Sequence, residues 1–363
     1  MISGYRLRER LQETMGGLQK ELRFAVRRRY LRQDIKKFHT GGTKLTAEEM
    51  RQARAYWSKY TKHFTPMWHA FFKEKYGKFD VRFVPEDLMF TDIEGALNDW
   101  SSAHGLDNKN NYELYFPMIK HPTSVVHKMH GNWRNDDYHP ISEEEAISIC
   151  LAEEDLIFKY ALESGKGGGI RFWRRSDGDA KLRELFASFV DDIACQRFLE
   201  GQHKDLAAFN ESSINSVRIV TLALKDDIVV LCAYLRMGIG SVRVDNVCAG
   251  GCCSGIIPDG HLQPYAYDKR GNKWSEHPVS KIKFDGFLVP SYDKIKDVAI
   301  AMHHRIGNFR IISWDIAVDP EGDPVFIEMN LKYGAMEYHQ MINGPLFGDR
   351  TEEILNEVYG VKS

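Results

Sequence analysis

Two apolar runs near the C-terminus do most to limit what this chain can fold into. Ser313-Trp314-Asp315-Ile316-Ala317-Val318 reads as a strand, Asp319-Pro320-Glu321-Gly322-Asp323 as a turn, and Val325 to Glu328 as a strand that returns. So short a turn joins antiparallel neighbours, whereas parallel strands need a long crossover. Each strand carries a carboxylate, Asp315 and Glu328, flanked by apolar residues that argue against a solvent-facing acid. If the two face each other across the hairpin, they converge with the amide oxygen of Asn330. Hard oxygen donors of that kind suit Mg²⁺, which also bridges to nucleotide phosphates.

Further apolar strands run from Ser216 to Leu224 and from Ile228 to Leu235, with the Gly-rich segment Ala249-Gly250-Gly251 downstream. They place arginines inside apolar surroundings: Arg218 in Val217-Arg218-Ile219-Val220, and Arg236 at the end of Ala233-Tyr234-Leu235-Arg236-Met237. An arginine fork suits phosphate or carboxylate, an acyl phosphate included. Upstream, the strand Asp155 to Tyr160 leads into Ser164-Gly165-Lys166-Gly167-Gly168-Gly169 and then the strand Ile170 to Trp173. Backbone N–H groups of a glycine-rich loop can approach phosphate oxygens, and its lysines add charge. It is not a P-loop, because no Gly-Lys-Ser/Thr follows and a strand comes next.

The remaining elements read as helices and short strands. Leu7, Leu11, Met15, Leu18, Leu22 and Val26 recur at helical spacing among arginines, interrupted at Gly16-Gly17. Thr46-Ala47-Glu48-Glu49 reads as a capping box. Val81 to Pro85 and Ser124 to Lys128 read as strands, and Glu94 to Trp100 as a helix. Ser142 caps a helix to about Glu154, and Arg350 to Tyr359 closes the chain as another.

With 363 residues the chain has room for roughly two domains. No apolar run is long enough to cross a bilayer, and the charged N-terminus does not read as a secretory signal. Six cysteines are too few for a disulfide scaffold, which points to the cytoplasm. Cys248, Cys252 and Cys253 lack a partner pair at zinc spacing and read as small buried residues in a Gly-rich loop. The net charge of -2 conceals an asymmetry: residues 1–37 hold 11 basic and 4 acidic side chains, so the remainder carries -9. A basic arm can serve nucleic acid, a membrane surface or an acidic partner, or be a solvated helix docked on its own acidic body.

In this order, the pieces resemble the ATP-grasp superfamily, most closely its sugar-transfer-associated branch found with polysaccharide-biosynthesis genes. The stretches that carry the resemblance are Leu106-Asp107-Asn108-Lys109-Asn110-Asn111-Tyr112, Asn210 to Thr221, Leu235-Arg236-Met237-Gly238 and Val244 to Gly251, with the Asp315…Glu328-Met329-Asn330 ending. They cover about residues 80–345. The resemblance implies an α+β protein with the ATP-grasp fold, two α+β lobes clasping ATP and a helical N-terminal extension. The expected divisions are 1–79 for the extension, 80–150 for an N-terminal α/β lobe, 151–200 for a small lobe with the Gly loop, and 201–363 for a large lobe with the metal site.

It also implies roles. Lys109 and Lys159 correspond to phosphate-contacting lysines, with Lys128 as a competitor of Lys109. Gly165, Lys166, Gly167, Gly168 and Gly169 would fold over the triphosphate, and Gln196, Arg197 and Phe198 would hold adenine. His203 stands where many members carry a ribose-binding glutamate, and Ser313 where D-alanine ligases carry a substrate arginine. Asp315, Glu328 and Asn330 match Mg²⁺ ligands, and Arg218 and Arg236 match groups facing the reacting phosphoryl. Asp245, Asn246, Gly250 and Gly251 are candidates for contacting the acceptor.

The implied function is an ATP- and Mg²⁺-dependent carboxylate–amine ligase acting through an acyl phosphate. The branch suggests that it joins an amine or amino acid to a sugar-linked, uronic-acid carboxylate. Phosphotransfer to a sugar-like hydroxyl on the same fold is the alternative, and a basic-arm module for nucleic acid or a membrane surface is a second. Nucleic acid is the less favoured partner, because interleaved leucines fit a docked helix better.

Overall fold

The structure, a computed structural model, describes residues 2–39, 42–162, 169–240, 250–268, 271–334 and 336–361; side chains are described from residue 19 onward, Phe38 excepted. The chain divides into two compact units, Met1–Leu97 with Ala335–Ser363, and Asn98–Gly334.

The first unit is helical. Helix α1 (Ile2–Phe38) runs on through Gly16-Gly17, where the sequence had suggested an interruption. Each glycine costs about 1 kcal/mol relative to alanine, which a long helical ladder tolerates. Helix α2 (Ala47–Trp57) starts at the expected capping box: the Glu49 N–H donates to Thr46 Oγ1 and the Thr46 N–H to the Glu49 carboxylate. Helix α3 (Met67–Tyr76) buries Trp68, Phe71 and Phe72 and stops at Gly77, whose φ of 89° only glycine adopts freely. Two C-terminal helices, Met336–Asn343 and Thr351–Tyr359, belong to the same unit.

Val81 to Pro85 is not the expected strand. Its backbone partner is a side chain: the Gln340 amide accepts from the Val84 N–H at 2.7 Å and donates to the Val84 carbonyl at 2.8 Å. One glutamine thus supplies the pair of bonds a neighbouring strand would. The Trp57 indole and His69 Nε2 both reach the Val81 carbonyl. Burial pulls His69 down to about 4, so it is neutral in the folded protein.

The second unit is built on two fully antiparallel sheets, so the protein is α+β as expected and not doubly wound. The five-stranded sheet has the order β2-β1-β5-β3-β4, from β1 (Ser124–Met129), β2 (Asn132–Asn135), β3 (Asp155–Tyr160), β4 (Arg171–Arg174) and β5 (Ile193–Arg197). Its apolar face carries Val126, Leu156, Phe158, Trp173 and Cys195, packed with residues of the helices Glu143–Leu151 and Gly178–Ser188. The Ser142 capping box is present, with Glu145 as partner.

The seven-stranded sheet has the order β10-β9-β8-β7-β6-β11-β12. Its strands are β6 (Ser216–Ala223), β7 (Ile228–Met237), β8 (Cys252–Ile256), β9 (Leu262–Asp268), β10 (Lys273–Trp274), β11 (Ile311–Val318) and β12 (Pro324–Asn330). Helix Tyr292–His303 packs on its apolar face, which carries Val217, Ile219, Ala233, Leu235, Trp314, Ile316 and Phe326. Cys252 and Cys253 are buried as expected, but in the strand β8 rather than in a Gly-rich loop. No helix among the described residues is long and apolar enough to cross a membrane.

Candidate active site

The site follows from the period of two in the seven-stranded sheet. Val217, Ile219 and Leu235 point into the core, so Ser216, Arg218, Tyr234 and Arg236 stand on the other face. On β11 the same parity puts Trp314 and Ile316 in the core and Asp315 opposite, in register with Arg218. Strand β12 needs one irregularity. Phe326 is core and Glu328, two residues on, would share its face in a regular strand. A bulge leaves Ile327 without a partner between the pairs Ile316–Phe326 and Asp315–Glu328. The extra residue turns Glu328 and Asn330 onto the polar face while Met329 returns to the core.

Asp315 and Glu328 therefore face one another across the hairpin, and Asn330 lies opposite Ser313. Asp315 is fully buried. Arg218 grips it with two bonds, Nε to Oδ1 at 2.7 Å and Nη2 to Oδ2 at 2.6 Å, and Arg236 Nη1 lies 3.1 Å from Oδ2. Burial alone would push the Asp315 carboxyl up, but the two guanidiniums outweigh it and hold the group well below the usual carboxylate range. Arg236 also donates to Ser216 Oγ from Nε and Nη2. Lys109 Nζ stands 3.8 Å from the Glu328 carboxylate, and its N–H donates to the Ala161 carbonyl at the end of β3.

The five-stranded sheet offers a polar face of its own. Lys159, Ala194 and His127 are register partners, as are Ile157 and Gln196, so all of them oppose the core residues Phe158 and Cys195. Lys159 Nζ donates to Gln196 Oε1 at 3.2 Å. Lys128 is turned elsewhere, bonded to the Phe189 carbonyl and set over the Trp133 ring. Of the two rival lysines, Lys109 is thus the one beside the carboxylates. The Arg197 side chain is engaged bidentately by Glu153, and Phe198 stacks on Phe172. A cleft of about 300 Å³ opens there, bordered by Arg197, Phe198, Glu200 and Pro320. The His203 ring caps a short helix, its Nδ1 accepting from the Asp205 N–H.

Gly169 is buried after β3, and Gly250 and Gly251 precede β8. Gly165, Lys166, Gly167, Gly168, Asp245, Asn246 and Cys248 lie outside the described residues.

Sequence reasoning missed the polar knot that braces β7. Gln202 Nε2 donates to the carbonyls of Asn210 and Ser213, and Asn215 Nδ2 to Gln202 Oε1 and the carbonyls of Leu206 and Asn210. Asn215 Oδ1 accepts from the Gly238 N–H, where a Cβ would stand 2.2 Å from Ser213 Oγ. The run Asn210 to Val217 contains Asn210, Ser213 and Asn215, but Gln202 and Gly238 lie outside it, and only the fold shows them bonded to one another.

The donors around Glu328 suit Mg²⁺ in part. Among the described residues no three His, Cys, Asp or Glu side chains form a metal cluster. Glu328 is one-third exposed, and the terminal Nδ2 of Asn330 is buried without a partner. The oxygen and nitrogen of an amide exchange places by a flip, so that orphan position suits an oxygen aimed at a cation. Both Asp315 oxygens are engaged by the arginines. Glu328 and Asn330 therefore fit the ion, and Asp315 fits as the anchor of the arginine pair.

Residues 191–356 match the model of a family described as sugar-transfer associated ATP-grasp, in line with the expected superfamily. The matched segment holds β6 to β12 and every residue of the arginine–carboxylate cluster except Lys109. No curated protein sequence matches the chain. Among solved structures, the ATP-grasp ligase PsnB, complexed with minimal precursor, Mg and ADP, is 13% identical with a TM-score of 0.41, over 72% of this chain and 62% of that one. VanG D-Ala:D-Ser ligase from Enterococcus faecalis is 16% identical with a TM-score of 0.44, over 72% and 62%. D-alanyl-alanine synthetase A from Vibrio cholerae is 10% identical with a TM-score of 0.42, over 70% and 64%. The chain thus spans less than two thirds of the length of each.

Proposed function

We propose that this chain, sugar-transfer associated ATP-grasp in its residues 191–356, is an ATP- and Mg²⁺-dependent carboxylate–amine ligase. The observation that carries the reading is Asp315 and Glu328 facing each other in register, with Arg218 and Arg236 on the first and Lys109 at 3.8 Å from the second. Such a cluster suits a site where phosphoryl charge is moved, and no nucleophilic Ser or Cys is needed.

In the proposed reaction a carboxylate oxygen of the acid attacks the γ-phosphorus of ATP, and ADP leaves. The amine then attacks the acyl carbon, phosphate departs with that oxygen, and the amine loses a proton. Lys109 and Lys159 would bind ATP phosphates. Arg236, fixed by Ser216 and Asp315, would stabilise the charge that develops on the transferred group. Arg218 spends two of its three nitrogens on Asp315 and so acts first as a positioning residue. Glu328 and Asn330 would hold Mg²⁺, which supplies charge neutralisation at the phosphates.

The family's sugar-transfer association supports a sugar-linked acid, such as a uronic acid, as the carboxylate. The test offers ATP, Mg²⁺, uronic acids and a panel of amines, and follows ADP and amide together. Their appearance in equal amounts is expected. Phosphate on a stable hydroxyl product would make the protein a kinase and sink the ligase reading.

A further inference from the structure

Helix α1 has two unlike faces. One is docked within the helical unit: Ile35 is buried, Arg28 Nη1 meets Thr91 Oγ1 and Asp92, and Arg32 Nε meets the buried Asp87 at 2.6 Å. Those contacts account for two of the arm's cations. The opposite face carries Leu22, Val26 and Tyr30 at a spacing of four, exposed by 67%, 63% and 50%. Leu7, Leu11, Met15 and Leu18 precede them in sequence at steps of three or four.

The charges beside this stripe are of one sign. Arg23, Arg29 and Lys36 are exposed and make no ion pair with a described residue. Glu21 and Asp34, the acids of that stretch, pair with Arg28 and Lys37 of the same helix. A second copy laid on the stripe would set Arg23 and Arg29 against their own equivalents with no acid between them. A nucleic-acid backbone would satisfy the cations and leave Leu22 and Val26 without a partner. An anionic lipid surface accepts both, because acyl chains take the leucine and valine while headgroups take the arginines.

We propose that the Leu22–Val26–Tyr30 face of α1, with Arg23 and Arg29, docks the protein peripherally on an anionic membrane. The helix lies in the headgroup plane and does not span, since no described helix is apolar enough to do so. This inference is independent of the ligase reading.

The test uses the full chain in co-sedimentation with phosphatidylcholine vesicles, with and without phosphatidylglycerol. Binding only to the anionic vesicles, falling as salt rises, is expected. Leu22→Gln with Val26→Gln should weaken it at least about tenfold. Arg23→Glu with Arg29→Glu should do the same, and a Tyr30→Trp reporter should shift its emission to the blue on anionic vesicles alone. All these positions are exposed, so circular dichroism should match the unaltered protein. Absence of binding to phosphatidylglycerol vesicles would overturn the proposal. So would binding that both pairs of substitutions leave unchanged, or a dimer in sedimentation that Leu22→Gln with Val26→Gln dissolves, which would make a second copy the occupant.

Discussion

Arg218→Met removes two charge-assisted hydrogen bonds, of 2.7 and 2.6 Å, from a carboxylate with no exposure. Each such bond contributes roughly 1.5–3 kcal/mol. Breaking a buried pair by deleting one partner costs about 3–5 kcal/mol. Arg236 remains at 3.1 Å and compensates in part, so the lower end, about 3 kcal/mol, is expected. Hydrogen exchange of β11 amides, followed by mass spectrometry, reads the opening of that strand without assuming one transition for the whole chain. Protection at neutral pH should fall roughly a hundredfold. An unfolded aspartate titrates near 3.9, whereas Asp315 in the fold lies well below that, because the two guanidiniums outweigh its burial. A carboxylate depressed in this way contributes fully above the unfolded value, and the contribution is lost as pH falls through the folded one. The difference between the two proteins should therefore hold from about pH 5 to 8 and shrink below about 4. A loss under about 1 kcal/mol at neutral pH, the size of an exposed pair, would refute the reasoning.

Other substitutions probe the remaining parts. Glu328→Gln and Asn330→Ala should each lower ATP turnover more than about a hundredfold while circular dichroism is unchanged, with ADP release as the assay. Lys109→Ala should raise the KM for ATP, whereas Lys128→Ala should leave it, since that ammonium is bonded to the Phe189 carbonyl. Gly238→Ala should lower the melting temperature, at a cost of about 1–3 kcal/mol, because its Cβ meets Ser213 Oγ at 2.2 Å and Asn210 Nδ2 at 2.9 Å. Adding Ser213→Ala should restore part of the loss. In the helical unit, burial and the neighbouring Glu337 push Glu86 well above the usual carboxylate range. A raised carboxyl stabilises the fold at low pH and loses that contribution as pH rises from the ordinary carboxylate range through its folded value, so Glu86→Gln should reduce the fall in melting temperature expected over that rise, as thermal melts at a series of pH values would read.

What the sequence revealed of this fold was what local pattern encodes. The hairpin of β11 and β12 and the helix caps at Thr46 and Ser142 follow from alternation, turn residues and short-range spacing. The bulge at Ile327 does not, because Phe326 and Glu328 have the same parity and only the paired strand shows where the register slips. Strand β8 was missed for a similar reason: Cys252-Cys253-Ser254-Gly255-Ile256 is buried on both faces and so shows no alternation. Val81 to Val84 has strand composition, yet its partner is the side chain of a glutamine 256 residues away. The candidate site was legible in residue types, while the spending of Asp315 on two arginines depends on register between β6, β7 and β11.

The proposed acyl phosphate leaves a mark that no other route shares. With an acid that supports turnover, labelled with ¹⁸O in its carboxylate, the oxygen that attacks ATP departs on phosphate when the amine attacks. The account predicts one ¹⁸O in each phosphate released, in step with amide and ADP. Phosphate free of label, with amide still formed, would contradict it.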